Sequence, residues 1–487
     1  MAKIDERKPY DFCVIGAGIA GLTFAALAAA SGRRVLVLEQ HYLPGGCFTA
    51  FKKGPYLFNV ALEWTTDCAP GEAQHRLLTQ LGLAAEHRFV PIEVFKTVLS
   101  PELAAPLTIP TGHEPLRASL ASAFPRQSDV IARFIDDCVA LTRKLPHSSA
   151  ILMRHGIKPV DAMLADYFDD PLLRHALYSL IGCPSRGVLL MYMVGAIAAG
   201  QMYRPLHRDH RRLGALLHRR IHALGSTVVF ESEVSRILVE HGRACGVRLA
   251  DGREIRAAAV VATTDPAQLY TRLLDPAAMP EPQRAPGLSC FSLFLGLDRP
   301  VRGLDPARSA YSLLAETPRW LADPSDLATL PLRVEMQSAE SPQLAPAGRA
   351  TLCAWATMPI SAYDHWGQGR DCEIAEMDRP AYEQAKHAAT ELLMGRLDAA
   401  FPGLRETVRV CEAATPFTYK RYTRAQAGSV SGYSLGEMSY LKNRPSATAI
   451  EQLFHIGHWV TQSGVNTVMY SAAALHEALC GPAALAA

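Results

Sequence analysis

The 487-residue sequence has no C-x-x-C pair, and none of its eleven cysteines has a second ligand at zinc-like spacing, so nothing in it reads as a metal site. The odd cysteine count suits reduced, mostly buried thiols of a cytosolic protein better than a disulfide framework. A dominant charge of one sign is missing as well: the net charge of +2 argues against nucleic acid as a bulk partner. The opening "MAKIDERKPYDF" is charged where a secretory leader needs an apolar stretch. The longest nearly charge-free apolar run outside the first helix is "GVLLMYMVGAIAAG", Gly187 to Gly200. It falls short of the roughly 20 residues that a spanning helix needs, and it reads as a buried helix or a tunnel wall. Membrane contact is therefore expected to be peripheral at most. No repeat, low-complexity segment or Ser/His/Asp hydrolase pattern stands out.

What is present is material for a large core, with 49% hydrophobic and 20% charged residues, in a chain long enough for two or three structural units. The strongest pattern is "VIGAGIAGLTFAALAAASGRRVLVLEQHYLPGGC", Val14 to Cys47. A short β-prone run meets Gly16, Gly18 and Gly21, an Ala-rich helix follows from about Leu22 to Ser31, and a second strand ends on Glu39. The three glycines differ in what they allow. Gly16 permits the tight turn, Gly18 lets a pyrophosphate approach the backbone, and Gly21 lets helix and strand pack closely. The free N–H groups and partial positive charge of the helix start then face the phosphates. Glu39 is placed to accept hydrogen bonds from a ribose diol.

Helical periodicity dominates from His75 to about Leu224, and this block is expected to be an inserted helical cap. Strand character returns in "STVVFESEVSRILVEHGRACGVRLADGREIRAAAVVATTDP", with an Asp-Gly hairpin turn and a continuous buried strand "AAAVVAT". Residues from about Phe291 to Thr418 read as a second sheet with a helix near "YEQAKHAATELLMGRL", and "PRWLADPSDLATLPL" as a surface excursion. "TPFTYKRYTRAQAGSVSGYS", Thr415 to Ser434, is expected to be a substrate-facing loop. A short strand through Ile456 stops at Gly457, and a last helix begins at about Val465.

Pro44 to Gly46 decides which dinucleotide is expected, because a flavin must be carried past the acid with its pyrophosphate and ribityl chain close to backbone. With "VSRILVEHGRACGVRLADG" and "LFHIGHWVTQSGVNTVMYSAAALHEAL", the chain resembles the FAD-dependent oxidoreductases that include phytoene desaturases, carotenoid isomerases and retinol saturases, with amine oxidases as a wider circle. The resemblance implies an α/β fold: a Rossmann-like FAD-binding domain assembled from 1–74, 213–290 and 421–487, and an α+β substrate domain built from a cap, 75–212, and a sheet, 291–420. It implies FAD held by Gly16, Gly18, Gly21 and Glu39, by Gly45 and Gly46, by the backbone of Val234, and by Gly457, Gly464, Val465 and Asn466. A helix start at Val465 also has an independent reason to lie there, since N–H donors stabilise the negative charge of a reduced flavin.

Several positions depart from the family's pattern. His458 and Trp459 follow the glycine where relatives commonly carry a carboxylate or a small residue, and Asn59 stands where relatives have an aspartate. "MYRPLHRDHRRLGALL" holds His207 to Arg212 where glycines are common, which speaks against a plain hydrocarbon substrate. We assign Glu63, Tyr433 and His458 as catalytic candidates, and Trp64, Arg208, Arg211 and Trp459 as substrate-binding candidates. Glu63 would carry a proton beside the flavin, and Arg208 and Arg211 would receive an acidic head group. The expected activity is hydride transfer at carbon–carbon bonds of an extended apolar polyene or isoprenoid, with an external electron donor or acceptor. The alternatives are reductive cyclisation of a polyene natural product, as resembling enzymes do in tetramate macrolactam assembly, and flavin-free prenyl binding like that of guanine-nucleotide dissociation inhibitors.

Overall fold

One strand, Glu254–Ala262, organises the first sheet. Its first residues alternate between buried and exposed and pair antiparallel with Arg243–Leu249, as a meander with one wet face does. From Ala259 onward burial is continuous, because this half lies between Tyr10–Ile15 and Leu453–His455 and runs parallel to both. In this computed structural model, residues 4–5, 8–60, 64–275, 284–301, 303–304, 310–316, 326–339, 341–358, 378–434, 448–461 and 463–481 are described. The sheet runs Val234–Glu240, Arg243–Leu249, Glu254–Ala262, Tyr10–Ile15, Val35–Leu38, Thr227–Val229, with Leu453–His455 off that path. Strands from both ends and the middle of the chain thus share one sheet.

The helix Ile19–Ala30 is apolar on every side, so it can only be a buried helix, and Arg211–Ala223 and Val465–Cys480 pack against it. The last two helices bring Leu213, Leu217, Val465 and Met469 into the same core as Leu22 and Phe24.

The second sheet runs Val408–Ala414, Ser289–Leu297, Ala350–Met358, Leu332–Glu335, Ala310–Leu313, Val94–Leu99, Leu107–Pro110. Its last two strands lie inside the stretch expected to be a helical cap. The segment 75–212 therefore contributes a β-hairpin to the substrate-side sheet as well as helices. The strand "VFKTVL" is short, and periodicity alone does not separate so short an apolar run from helix. A second correction concerns Thr415 to Ser434, where Pro416–Thr423 is helical. Thr415 accepts from the Thr418 N–H and Thr418 returns the bond, with proline at the first helical position. Of the surface excursion expected at 318–332, residues 318–325 lie outside the described residues, and the rest is not all surface: Leu330 and Leu332 are buried and Leu332 opens a strand of this sheet.

Above the second sheet, Ser128–Thr142 and Gly187–Ala198 pack face to face around Phe134, Ile135, Cys138, Met191 and Val194. Gly195 allows that approach, since a Cβ there would run into Thr142 and stand 2.6 Å from the Cys138 carbonyl oxygen. Gly395, in the helix Arg379–Ala400, has open space where its Cβ would be. Two substitutions should therefore act with opposite signs in urea or thermal unfolding. Gly195→Val should destabilise by about 1–3 kcal/mol through overpacking, and Gly395→Ala should stabilise by up to about 1 kcal/mol through helix propensity.

Candidate active site

The glycine turn after Tyr10–Ile15 is closed on one side and open on the other. A Cβ on Gly16 would collide with Thr263 and one on Gly21 with the Gly16 carbonyl, whereas one on Gly18 would meet nothing within 4 Å. The open side is where Ile19–Ala30 begins, and no side chain caps that start. Glu39 supports the turn from behind: its Oε2 accepts from the Ala17 N–H at 2.7 Å and its Oε1 from the His41 N–H at 2.8 Å. The Ser232 N–H donates to the Glu39 carbonyl at 2.8 Å, which brings the start of the Val234–Glu240 strand beside the acid.

The loop at Pro44 to Gly46 lies across the turn. The Gly45 N–H donates to the Ala17 carbonyl at 2.8 Å, and a Cβ on Gly46, whose φ is +61°, would stand 3.0 Å from the Gly18 Cα. On the other side a Cβ on Gly214 would stand 3.1 Å from Gly45 Cα. Three backbone segments therefore meet through glycines. Just beyond, the Phe48 ring stacks on His210 at 4.5 Å.

Gly457, with φ +102°, sits over the first turn of Ile19–Ala30, where its Cβ would lie 3.6 Å from that of Ala20. At the far end, the Ser31 hydroxyl and the His476 ring are 2.8 Å apart. The Ile19–Ala30 and Val465–Cys480 helices thus run in the same sense. Gly464, φ +132°, precedes the second start, again without a side-chain cap. The Asn466 side chain joins two segments: its Nδ2 donates to Thr66 Oγ1 at 3.0 Å and holds the stretch next to Trp64. Its Oδ1 accepts from the Thr467 N–H at 2.9 Å, within the first turn of the helix.

Tyr433, His458 and Trp459 are brought together. The Tyr433 and Trp459 rings meet edge-on at 5.1 Å, and the His458 and Trp459 rings lie 5.4 Å apart. Burial pushes the His458 imidazole down to about 4, with His455 adding to the shift, so the ring is neutral at pH 7. Its Nε2 is shielded from water and has no hydrogen-bond partner among the described residues.

Trp64 and Arg208 line a separate cleft with Phe95, Lys96, Arg204 and Glu335. Arg208 is only 2% exposed and forms an ion pair with Glu335. Arg211 does not line this cleft: two bonds of 2.7 and 2.9 Å tie its guanidinium to Asp209 on its own turn. An aspartate two residues away competes successfully for an arginine that sequence alone cannot orient. Asn59 is buried, accepts from the His210 N–H at 3.1 Å and donates its own N–H to Gln337 Oε1 at 3.1 Å. Glu63 lies outside the described residues. Lys96 and Glu335 were not among the sequence candidates. A lysine inside "VFKTVL" is the one local signal that pointed to them.

The family model for flavin containing amine oxidoreductases matches residues 19–376. The chain belongs to this family. As a flavin containing amine oxidoreductase it is an FAD-dependent enzyme, and its residues fit the cofactor: an open face at Gly18, two uncapped helix starts and an acid behind the turn. The α/β fold is shared by an oxidoreductase from Methanosarcina mazei, at a TM-score of 0.68 and 18% identity over 96% of this chain and 99% of that one. The chain is 25% identical to the chloroplastic prolycopene isomerase of Arabidopsis thaliana, over 92% of this chain and 78% of that protein. It is 23% identical to the all-trans-retinol 13,14-reductase of Rattus norvegicus, over 89% of this chain and 78% of that protein.

Gly46→Val should abolish flavin retention without unfolding the chain: absorbance at about 450 nm is lost while circular dichroism is preserved. A second expectation concerns pH. His87, His175 and His458 are each held at about 4 by burial, against an ordinary value of about 6.5. Between these values the unfolded chain binds more protons than the folded one, so stability present above about pH 6.5 is lost as pH falls toward 4. Urea midpoints should fall from pH 7 to 5, and His87→Phe should flatten that slope.

Proposed function

We propose that this flavoprotein exchanges hydride at carbon–carbon bonds of an extended, conjugated, largely apolar substrate, in desaturation, saturation or isomerisation. The observation that carries the reading is the similarity, over about nine-tenths of the chain, to two proteins named for prolycopene isomerisation and for reduction of retinol. We take residues 1–74, 213–290 and 421–487 as the FAD-binding unit, and 75–212 with 291–420 as the substrate unit. FAD would be held by Gly16, Gly18, Gly21, Glu39, Gly45, Gly46, Val234, Gly457, Gly464, Val465 and the main chain of Asn466, and when bound it supplies two-electron chemistry.

The protein's own residues bind, orient and exclude water. Tyr433 and Trp459 provide an apolar wall, and neutral His458 can donate or accept one hydrogen bond without placing a charge in it. Glu63, next to Trp64 in the chain, is the candidate proton carrier. Saturation needs an external electron donor and desaturation an acceptor, which this reading assigns to a separate molecule. Among the described residues no helix is long and apolar enough to cross a membrane; this reading takes the enzyme as cytoplasmic, with at most peripheral membrane contact.

The test is anaerobic. The bound flavin is reduced, candidate polyenes are added, and products are identified by mass with flavin reoxidation followed by absorbance. Reoxidation coupled to a product heavier by two hydrogens supports saturation; a yellow protein inert toward every polyene in both redox states removes the proposal. Glu63→Gln should lower turnover by at least about 100-fold with flavin content unchanged, and full turnover would exclude that residue.

A further inference from the structure

Between Asp137 and Asp161 the chain reads "CVALTRKLPHSSAILMRHGIKPV", without a single Asp or Glu. This stretch covers the end of Ser128–Thr142, a turn, and a helical segment made of Ser148–Ile151 and Leu152–Gly156. Arg143, Lys144, Leu145, Pro146 and His147 are all exposed. Beyond them Ser149, Ala150, Met153 and Arg154 are exposed as well, at a spacing that puts them on one side of the helical segment. Leu145 is 39% exposed, and Met153, at 66%, is the most exposed large hydrophobic side chain among the described residues. The other side of the segment is anchored. Ile151 is buried in the same core as Val188 and Met191, and a Cβ on Gly156 would stand 3.2 Å from Val188.

A single exposed Leu or Met needs no explanation. Two on one short rim, set among Arg143, Lys144 and Arg154, are a different case. The neighbouring charges are matched: Lys158 and His155 both contact Asp166, Asp136 contacts His113, and Asp137 accepts from the Tyr167 hydroxyl at 2.7 Å. Arg143, Lys144 and Arg154 meet no carboxylate among the described residues. Water solvates these cations but gains nothing from the apolar side chains, and an acidic protein surface would answer the charges alone. A lipid surface with anionic head groups answers both, because the cations lie at head-group level while the apolar side chains reach the acyl boundary.

We propose that the rim formed by Arg143 to His147 with Ala150, Met153 and Arg154 is a docking surface for an anionic lipid bilayer. The contact is interfacial and reversible, since two apolar side chains and three cations fall far short of a spanning segment. It goes beyond the reaction proposed above, and it places lipid against the helices that cover the second sheet, where a substrate too apolar for water would be met.

The probe is a vesicle of phosphatidylcholine, alone or with about one-third phosphatidylglycerol, and the readout is co-sedimentation of the holoenzyme in about 0.1 M salt. A cation near such a surface contributes about fivefold to partitioning, so the anionic vesicles should bind at least about tenfold tighter than the neutral ones. Lys144→Gln with Arg154→Gln should weaken that binding at least about tenfold. Leu145→Ser with Met153→Ser, which leaves the charge unchanged, should weaken it at least about fivefold. Lys52→Gln with Arg126→Gln removes the same charge from exposed positions elsewhere, and binding should stay within about twofold. Flavin absorbance and unfolding temperature, read on every variant, should not move, because the substituted side chains are exposed. Equal sedimentation with both vesicles, or none with either, overturns the proposal. A serine pair without effect overturns it as well and points to an acidic macromolecule as the occupant, and a control pair that loses as much as the rim pair reduces the effect to bulk charge. No arm of the experiment contains a polyene, so its failure leaves the proposed reaction standing.

Discussion

The helices Ile19–Ala30 and Val465–Cys480 run in the same sense and pack together, and each offers about half a positive charge at its first turn. Placed side by side without a ligand, those ends repel. An anionic ligand at those ends would relieve the repulsion, and any ligand that binds only the folded chain stabilises it in proportion to RT ln(1 + [L]/Kd). The cofactor is therefore part of the fold's energetics as well as its chemistry. The glycines answer the same constraint, because the Gly46–Gly18 and Gly214–Gly45 approaches leave no room for a Cβ.

The glycine turn was legible in the sequence because its determinants are local. The turn, helix and acid between Gly16 and Glu39 lie within one crossover unit, and each glycine's role follows from distances over a few residues. Thr415 shows a local signal outweighed by its neighbours: Thr-Pro-x-Thr is a helix start, the tyrosines and glycines after it read as loop, and the helix is there. The strand Val94–Leu99 was not legible in that way. It pairs with Leu107–Pro110 just after it and, on its other side, with Ala310–Leu313, over 200 residues later, and nothing in six residues announces that distant partner.

The same distinction separates the arginines. Arg208 and Arg211 are equal in the sequence, three positions apart. Arg211 finds Asp209 on its own turn, while Arg208 finds Glu335 on a strand of the other sheet. Local competition decides the first and tertiary topology the second, so composition could name the cluster but could not divide it. Asn466 makes a related point: it stands at a helix start as expected, its Oδ1 accepts from the neighbouring Thr467 N–H, and its Nδ2 reaches Thr66, which only the fold brings near.

The joint between the two sheets is polar where an apolar one would hold at least as well. Asn59, Gln337, Glu335 and Arg208 form a continuous hydrogen-bonded path, and His210 carries it to Phe48 in the cofactor loop. A buried ion pair is weak evidence for stability, since its desolvation cost is comparable to its attraction. What such a path supplies is direction: each member bonds to the next, so a shift of the substrate-side strand Leu332–Glu335 is coupled to the segment around Asn59 and His210. Hydride exchange tolerates little displacement between donor and acceptor carbon. A polar joint that fixes relative position at little net gain in stability is what that requirement selects.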